Sequence, residues 1–177
     1  MTLRFEREGR IGTAIRAAAS ASQQQVMATT LLIAVPILCM GGLFASLGLS
    51  ALFVAPMVCT AVLLPVSVFV HEAAHALAAA VLTPRSRPFR LRGEGGWATS
   101  ILIRESAGPA NDAVIAWVGP VAGTLCYLPV LLTSTQVLFA APWILTFTVH
   151  LFSLRRNHPD GKNLYDYLAR RSPHAEG

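Results

Sequence analysis

From Val26 to Leu82 the chain contains no Lys, Arg or Asp, and its only formal charge is Glu72. A second stretch, from Ala113 to Leu154, carries no formal charge. At about 1.5 Å of rise per helical residue, each stretch is far longer than the roughly 30 Å hydrocarbon core of a bilayer. Each must therefore fold back on itself. Turns are expected near Gly48-Leu49-Ser50 and near Thr133-Ser134-Thr135. Four spans result, over 26–47, 52–82, 113–132 and 136–154. The second is too long to be a simple crossing, and Pro56 and Pro65 give it places to bend or to begin late.

Composition and charge agree with this reading. The chain is 54% hydrophobic and 13% charged, too apolar for an ordinary soluble domain. All 14 Lys and Arg residues fall in three segments: the N-terminus, Thr83 to Asp112, and the tail after Leu154. The two turns carry none. With four spans those segments share one side, which the positive-inside rule makes cytoplasmic. The expectation is an all-α multi-pass protein of the cell membrane with about four transmembrane helices and both termini cytoplasmic. Residues 1–25 form an N-terminal segment, 26–154 the membrane domain with a cytoplasmic loop at 83–112, and 155–177 the tail. The basic balance (isoelectric point near 9.7) reads as topology and contact with anionic lipid, not as nucleic-acid binding. No cleavable signal peptide is expected, because the first apolar run begins only at Val26 and is long enough to span. Cys39, Cys59 and Cys126 all fall in predicted spans and are read as packing residues without disulfides.

Within the second span lies His71-Glu72-Ala73-Ala74-His75. Four residues apart on a helix, the two imidazoles share one face and can share one zinc ion. Glu72 between them is placed to act as general base toward a zinc-activated water. A carboxylate in hydrocarbon is costly, so an intramembrane one marks a functional site by default. The bland reading of the same residues is a hydrogen-bonded polar cluster joining two helices.

A catalytic zinc usually takes three protein ligands and leaves a fourth position open. His75 lies near the cytoplasmic end of its span, so the third ligand should come from a cytoplasmic helix end. Asp160 fits, in Asn157-His158-Pro159-Asp160-Gly161 just after the last span. There Pro159 and Gly161 are expected to break the helix and let the aspartate fold back. His150 and His158 are rival candidates, and a Pro-Asp-Gly turn is the plain alternative for Asp160.

These residues resemble the site-2 protease family of intramembrane zinc metalloproteases over roughly Val70 to Leu164. The resemblance rests on His71-Glu72-x-x-His75 in one membrane helix, a Gly-Pro motif in the next and Asp160-Gly161 after a later one. It implies zinc ligands at His71, His75 and Asp160, with Glu72 as catalytic base. The third span carries Val118-Gly119-Pro120-Val121-Ala122-Gly123, similar to the family's Gly-Pro-x-Ala-Asn segment but with Gly123 in place of Asn. Gly108-Pro109-Ala110-Asn111 is a second candidate for that segment. By resemblance Asn111, Gly119 and Pro120 would contact substrate. The substrates implied are membrane-embedded proteins, such as membrane-bound anti-sigma factors.

The segment from Arg87 to Arg104 reads as a small β-hairpin at the membrane surface, between the second and third spans. Phe89 and Leu91 alternate with Arg90 and Arg92, Gly93-Glu94-Gly95-Gly96 can turn, and Trp97, Thr99, Ile101 and Ile103 alternate again. Its edge could pair with an unwound substrate strand, or Trp97 could anchor it among headgroups. Leu164, Tyr165, Tyr167 and Leu168 suggest a short interfacial helix in the tail. The expected function is thus peptide hydrolysis in membrane-spanning substrates near the cytoplasmic face. Two other classes stand beside it. One is a non-proteolytic metal-binding scaffold of the same fold, whose site His150 or His158 would close with a fourth ligand. The other is a metal or proton transporter, against which the ionisable groups cluster at one depth.

Overall fold

In the computed structural model, residues 2–86, 88–97, 100–133 and 140–171 are described. The first long helix begins well before the apolar run. Helix α1 (Thr2–Thr29) passes through a π-helical turn (Thr30–Ala34) into α2 (Val35–Ser46). Residues 1–25, expected only as a polar segment, thus mostly prolong the first long helix. The reason is a stripe of small residues: Ala14, Ala17, Ala18 and Ala21 are buried at helical spacing, with Ser22 beside them.

α2 ends in a Schellman turn. Gly48, at φ +77°, donates to Ala45, and Leu49 reaches back to the Phe44 carbonyl, both at 3.0 Å. Ser50, extended at ψ 152°, then leads into α3 (Ala51–Leu82), so the first expected turn is where the sequence places it. α3 runs unbroken through Pro56 and Pro65. Gly9–Ser46 and Ala51–Leu82 are each long and apolar enough to cross a membrane. Leu31, Leu32, Leu43 and Val62 point outward from them, as lipid-facing side chains do.

The second apolar stretch is more broken than its hydropathy suggests. α4 (Pro109–Leu125) gives way at Cys126 and Tyr127 to the short α5 (Leu128–Thr133), and α6 covers Ala140–Phe152. Neither α4 nor α6 alone reaches the length of the first two long apolar helices. The expected turn at Thr133-Ser134-Thr135 falls largely on residues 134–139, outside the described ones. α7 (Pro159–Arg171) is the last described element, with Tyr165 and Leu168 exposed.

The hairpin is present, but its glycines serve another purpose. β1 (Leu91–Gly95) pairs antiparallel with β2 (Ser100–Arg104), Leu91 opposite Arg104 and Gly95 opposite Ser100. Gly93 and Gly95 are therefore strand residues, and the chain reverses after them; Arg87 and Thr99 lie outside the described residues. A Cβ on Gly93 would overlap the Ala17 carbonyl oxygen, and one on Gly95 that of Ala21. Glycine is required because the strand lies directly on the backbone of α1. Gly93→Ala should lift the hairpin off α1 and cost about 1–3 kcal/mol. The expected readout is a lower melting temperature in detergent with faster proteolysis of the hairpin. Gly9→Ala, where a Cβ meets nothing within 4 Å, serves as control; equal melting of the two variants would refute the close packing.

Candidate metal centre

On α3, His71 and His75 are both buried, and their Nε2 atoms lie 3.1 Å apart. Asp160 Oδ2 completes a triangle, 3.5 Å from His71 Nε2 and 3.3 Å from His75 Nε2. Zinc held at about 2.0–2.1 Å by tetrahedral ligands sets those ligands about 3.3–3.4 Å apart. The three donors thus have the spacing of one face of such a tetrahedron. Among the described residues, His71, His75 and Asp160 are a group that could hold a metal ion.

Asp160 arrives by a different device from the turn expected. Three backbone bonds from Ser153, Leu154 and Arg155 wind the chain out of α6, and Pro159 then starts α7 instead of breaking a helix. Asp160 sits in the first turn, where the helix dipole favours a negative charge. Gly161 allows the approach, since a Cβ there would overlap the Arg155 carbonyl.

α4 shapes the space for the imidazoles. A Cβ on Gly119 would overlap the His75 ring at Nε2, and one on Gly123 would stand 2.7 Å from the His150 ring. Pro120, between them, is fully buried and has no N–H for the Ala116 carbonyl. One residue earlier, the Ile115 carbonyl accepts a 2.5 Å bond from His75 Nδ1. That bond puts the ring proton on Nδ1 and leaves the Nε2 lone pair facing Asp160 and His71. Gly119, expected at the substrate, lies against the His75 imidazole, and Pro120 beside it is buried. Asn111 donates to the Leu82 and Ala107 carbonyls at 3.2 Å, fastening the start of α4 to the end of α3.

Glu72 is buried, and its Oε1 accepts a 2.5 Å bond from the Ser100 hydroxyl at the start of β2. The Gln25 side chain of α1 lies 3.0 Å from the same hydroxyl. The carboxylate is thus held where α1, α3 and the hairpin meet. Glu72, His75 and Asp160 line one cavity of about 70 Å³ together with Ser100, Ile101, Leu102 and Arg104 of β2. The sheet has two strands, so among the described residues one edge of β2 has no strand partner. The far end of β2 is braced: Arg104 pairs with Asp112 at 2.6 Å, and Ser106 and the Ala107 N–H also bind that carboxylate. Burial would raise the Asp112 carboxyl, yet the bonds from Ser106, Arg104 and Ala107 leave it lowered.

No protein-family model, curated protein or solved structure matches this chain.

Of the two rival histidines, His150 is not among the three converging donors. It turns Nδ1 to His71 Nδ1 at 3.1 Å and Nε2 to Ser67 Oγ at 3.0 Å. His158 stays nearby and partly exposed, its buried Nδ1 3.6 Å from Asp160 Oδ2 and without a hydrogen-bond partner. Ser67, Ser100 and Gln25 had no signal in the sequence: each is a small or neutral polar residue that only the fold brings to the centre.

Proposed function

We propose that the chain is an intramembrane zinc metalloprotease of the site-2 protease type, cutting membrane-spanning proteins near the cytoplasmic face. The observation that carries this reading is that the Glu72 carboxylate shares one cavity with the donors of His75 and Asp160. A scaffold needs only the metal. A buried carboxylate beside three donors, with room for a fourth position, suits hydrolysis. Two imidazoles and one carboxylate suit zinc among the common divalent metals.

Bound there, zinc supplies Lewis acidity, drawing charge from a carbonyl oxygen and making water more acidic. Glu72 takes up the proton on Oε2, the oxygen that Ser100 leaves free, and returns it to the leaving amine. The unpartnered edge of β2 is suited to an extended peptide, which it would lay across the cavity by main-chain hydrogen bonds. Four spans with both termini and the hairpin cytoplasmic complete the reading. Its support is the two long apolar helices and the confinement of Lys and Arg to three segments.

One observation favours the non-proteolytic scaffold. The unpartnered Nδ1 of His158 beside Asp160 would, as a fourth ligand, close the site. The test is zinc content and cleavage together, in proteoliposomes carrying a library of single-span reporters read by mass spectrometry. The expected result is about one zinc per wild-type chain, chelator-sensitive cleavage near the cytoplasmic face, and loss of zinc in both His71→Ala and Asp160→Ala. Zinc binding with no cleavage across the library would select the scaffold.

A further inference from the structure

His150 and Ser67 have no part in the proposed reaction, yet both are buried inside the membrane region, directly behind the metal centre. A polar pair in that position is expensive unless every donor and acceptor is matched. The match runs in one direction only. The Leu64 carbonyl can only accept, so the 2.7 Å contact from Ser67 Oγ uses the hydroxyl proton. Ser67 must then accept from His150 Nε2–H at 3.0 Å. With its one proton on Nε2, a neutral His150 offers a lone pair at Nδ1. His71 Nδ1, 3.1 Å away, must therefore be the donor. The two ring planes are within 22° of parallel, with centroids 5.0 Å apart.

The consequence reaches the metal. With its proton on Nδ1, His71 has its lone pair on Nε2, the atom that faces His75 and Asp160. His75 is set the same way by the Ile115 carbonyl. Gly123 is part of the device, since any side chain there would meet the His150 ring.

We propose that His150, backed by Ser67 and given room by Gly123, is a positioning residue that holds His71 in the Nδ1–H tautomer with Nε2 turned to the metal. This rests on the metal reading of the site and not on proteolysis. Outer partners of this kind are typically worth about 10–100-fold in metal affinity.

The test has two parts, both on the full-length chain in detergent. Ring ¹⁵N resonances of the wild type, with and without zinc, should show His150 neutral with its proton on Nε2. Zinc affinity, measured by competition with a chromophoric chelator, should fall about 10–100-fold in His150→Ala. It should largely return in His150→Asn, whose carbonyl oxygen reaches the place of Nδ1 and accepts from His71. The cobalt-substituted absorption spectrum should change in the Ala variant and recover in the Asn variant. A proton on Nδ1 of His150, or equal zinc affinity in wild type and His150→Ala, overturns the proposal alone. If His150→Ala does not fold, the wild-type tautomer and the affinity of His150→Asn still decide. A folded wild type that takes no zinc overturns the metal reading, and the proposal with it.

Discussion

Glu72→Gln is expected to keep one zinc per chain while lowering the hydrolysis rate about 10²–10⁴-fold, the usual worth of a general acid–base group. The separation of the two effects is the informative part. Glu72 is not among the three converging donors, so removing its charge leaves the metal's ligands in place. The glutamine is nearly the same size and keeps an oxygen for the Ser100 hydroxyl, so the junction of α1, α3 and the hairpin should survive. What it cannot do is take a proton from water at neutral pH. Zinc content and reporter cleavage would be measured on the same preparation. Cleavage at the wild-type rate would remove Glu72 from the chemistry, while loss of zinc would make it a ligand.

The second large effect is expected at a residue with no chemistry of its own. Gly119→Ala should reduce zinc affinity by at least about 100-fold, because the added Cβ would stand only 2.2 Å from His75 Nε2. Either the ring swings away, breaking its bond to the Ile115 carbonyl, or α4 moves off α3. Both outcomes spoil the triangle of donors. Gly42→Ala, also on an apolar helix but with nothing within 4 Å of the new Cβ, should bind zinc as wild type does. If Gly119→Ala matches that control in chelator competition, the close packing of α4 on His75 is wrong.

The contrast between Glu72 and Gly119 shows what can be read before folding. His71, Glu72 and His75 are legible because helical spacing alone puts the histidines together, and an ionisable group in an apolar run announces itself. Asp160 is legible from depth and sidedness, although the helix that delivers it is not. Gly93 and Gly95 look like a turn, since nothing local distinguishes a glycine needed for φ freedom from one needed for contact with a distant helix. Gly119 and Gly123 hide behind a motif that suggests substrate contact, whereas their neighbours in space are imidazoles from α3 and α6. His150 is a lone histidine in sequence; only three-dimensional proximity to Ser67 and His71 gives it a purpose. The alanine stripe of α1 is visible in retrospect, but alanine periodicity is a weak signal beside leucine. The apolar length of 113–154 conceals the interruption at Cys126 and Tyr127, because hydropathy records solvent preference and not hydrogen-bond continuity.

The π-helical turn at Thr30–Ala34 makes the first long helix tolerant of changes that a regular helix would not bear. Leu31, Leu32 and Ile33 face outward there, so exchanging one apolar side chain for another disturbs little. Losing a single residue from the turn should disturb little as well. The Val35 N–H reaches back five residues to the Thr30 carbonyl, one more than an α-helix takes up. Deleting that extra residue would restore the ordinary ladder and leave the helix on either side in phase. Gly41, which now faces Met57 of α3, would keep that contact. The same deletion anywhere else in the helix would turn everything beyond it by about 100°. Drift in length is therefore cheap at this one turn and costly along the rest of the helix.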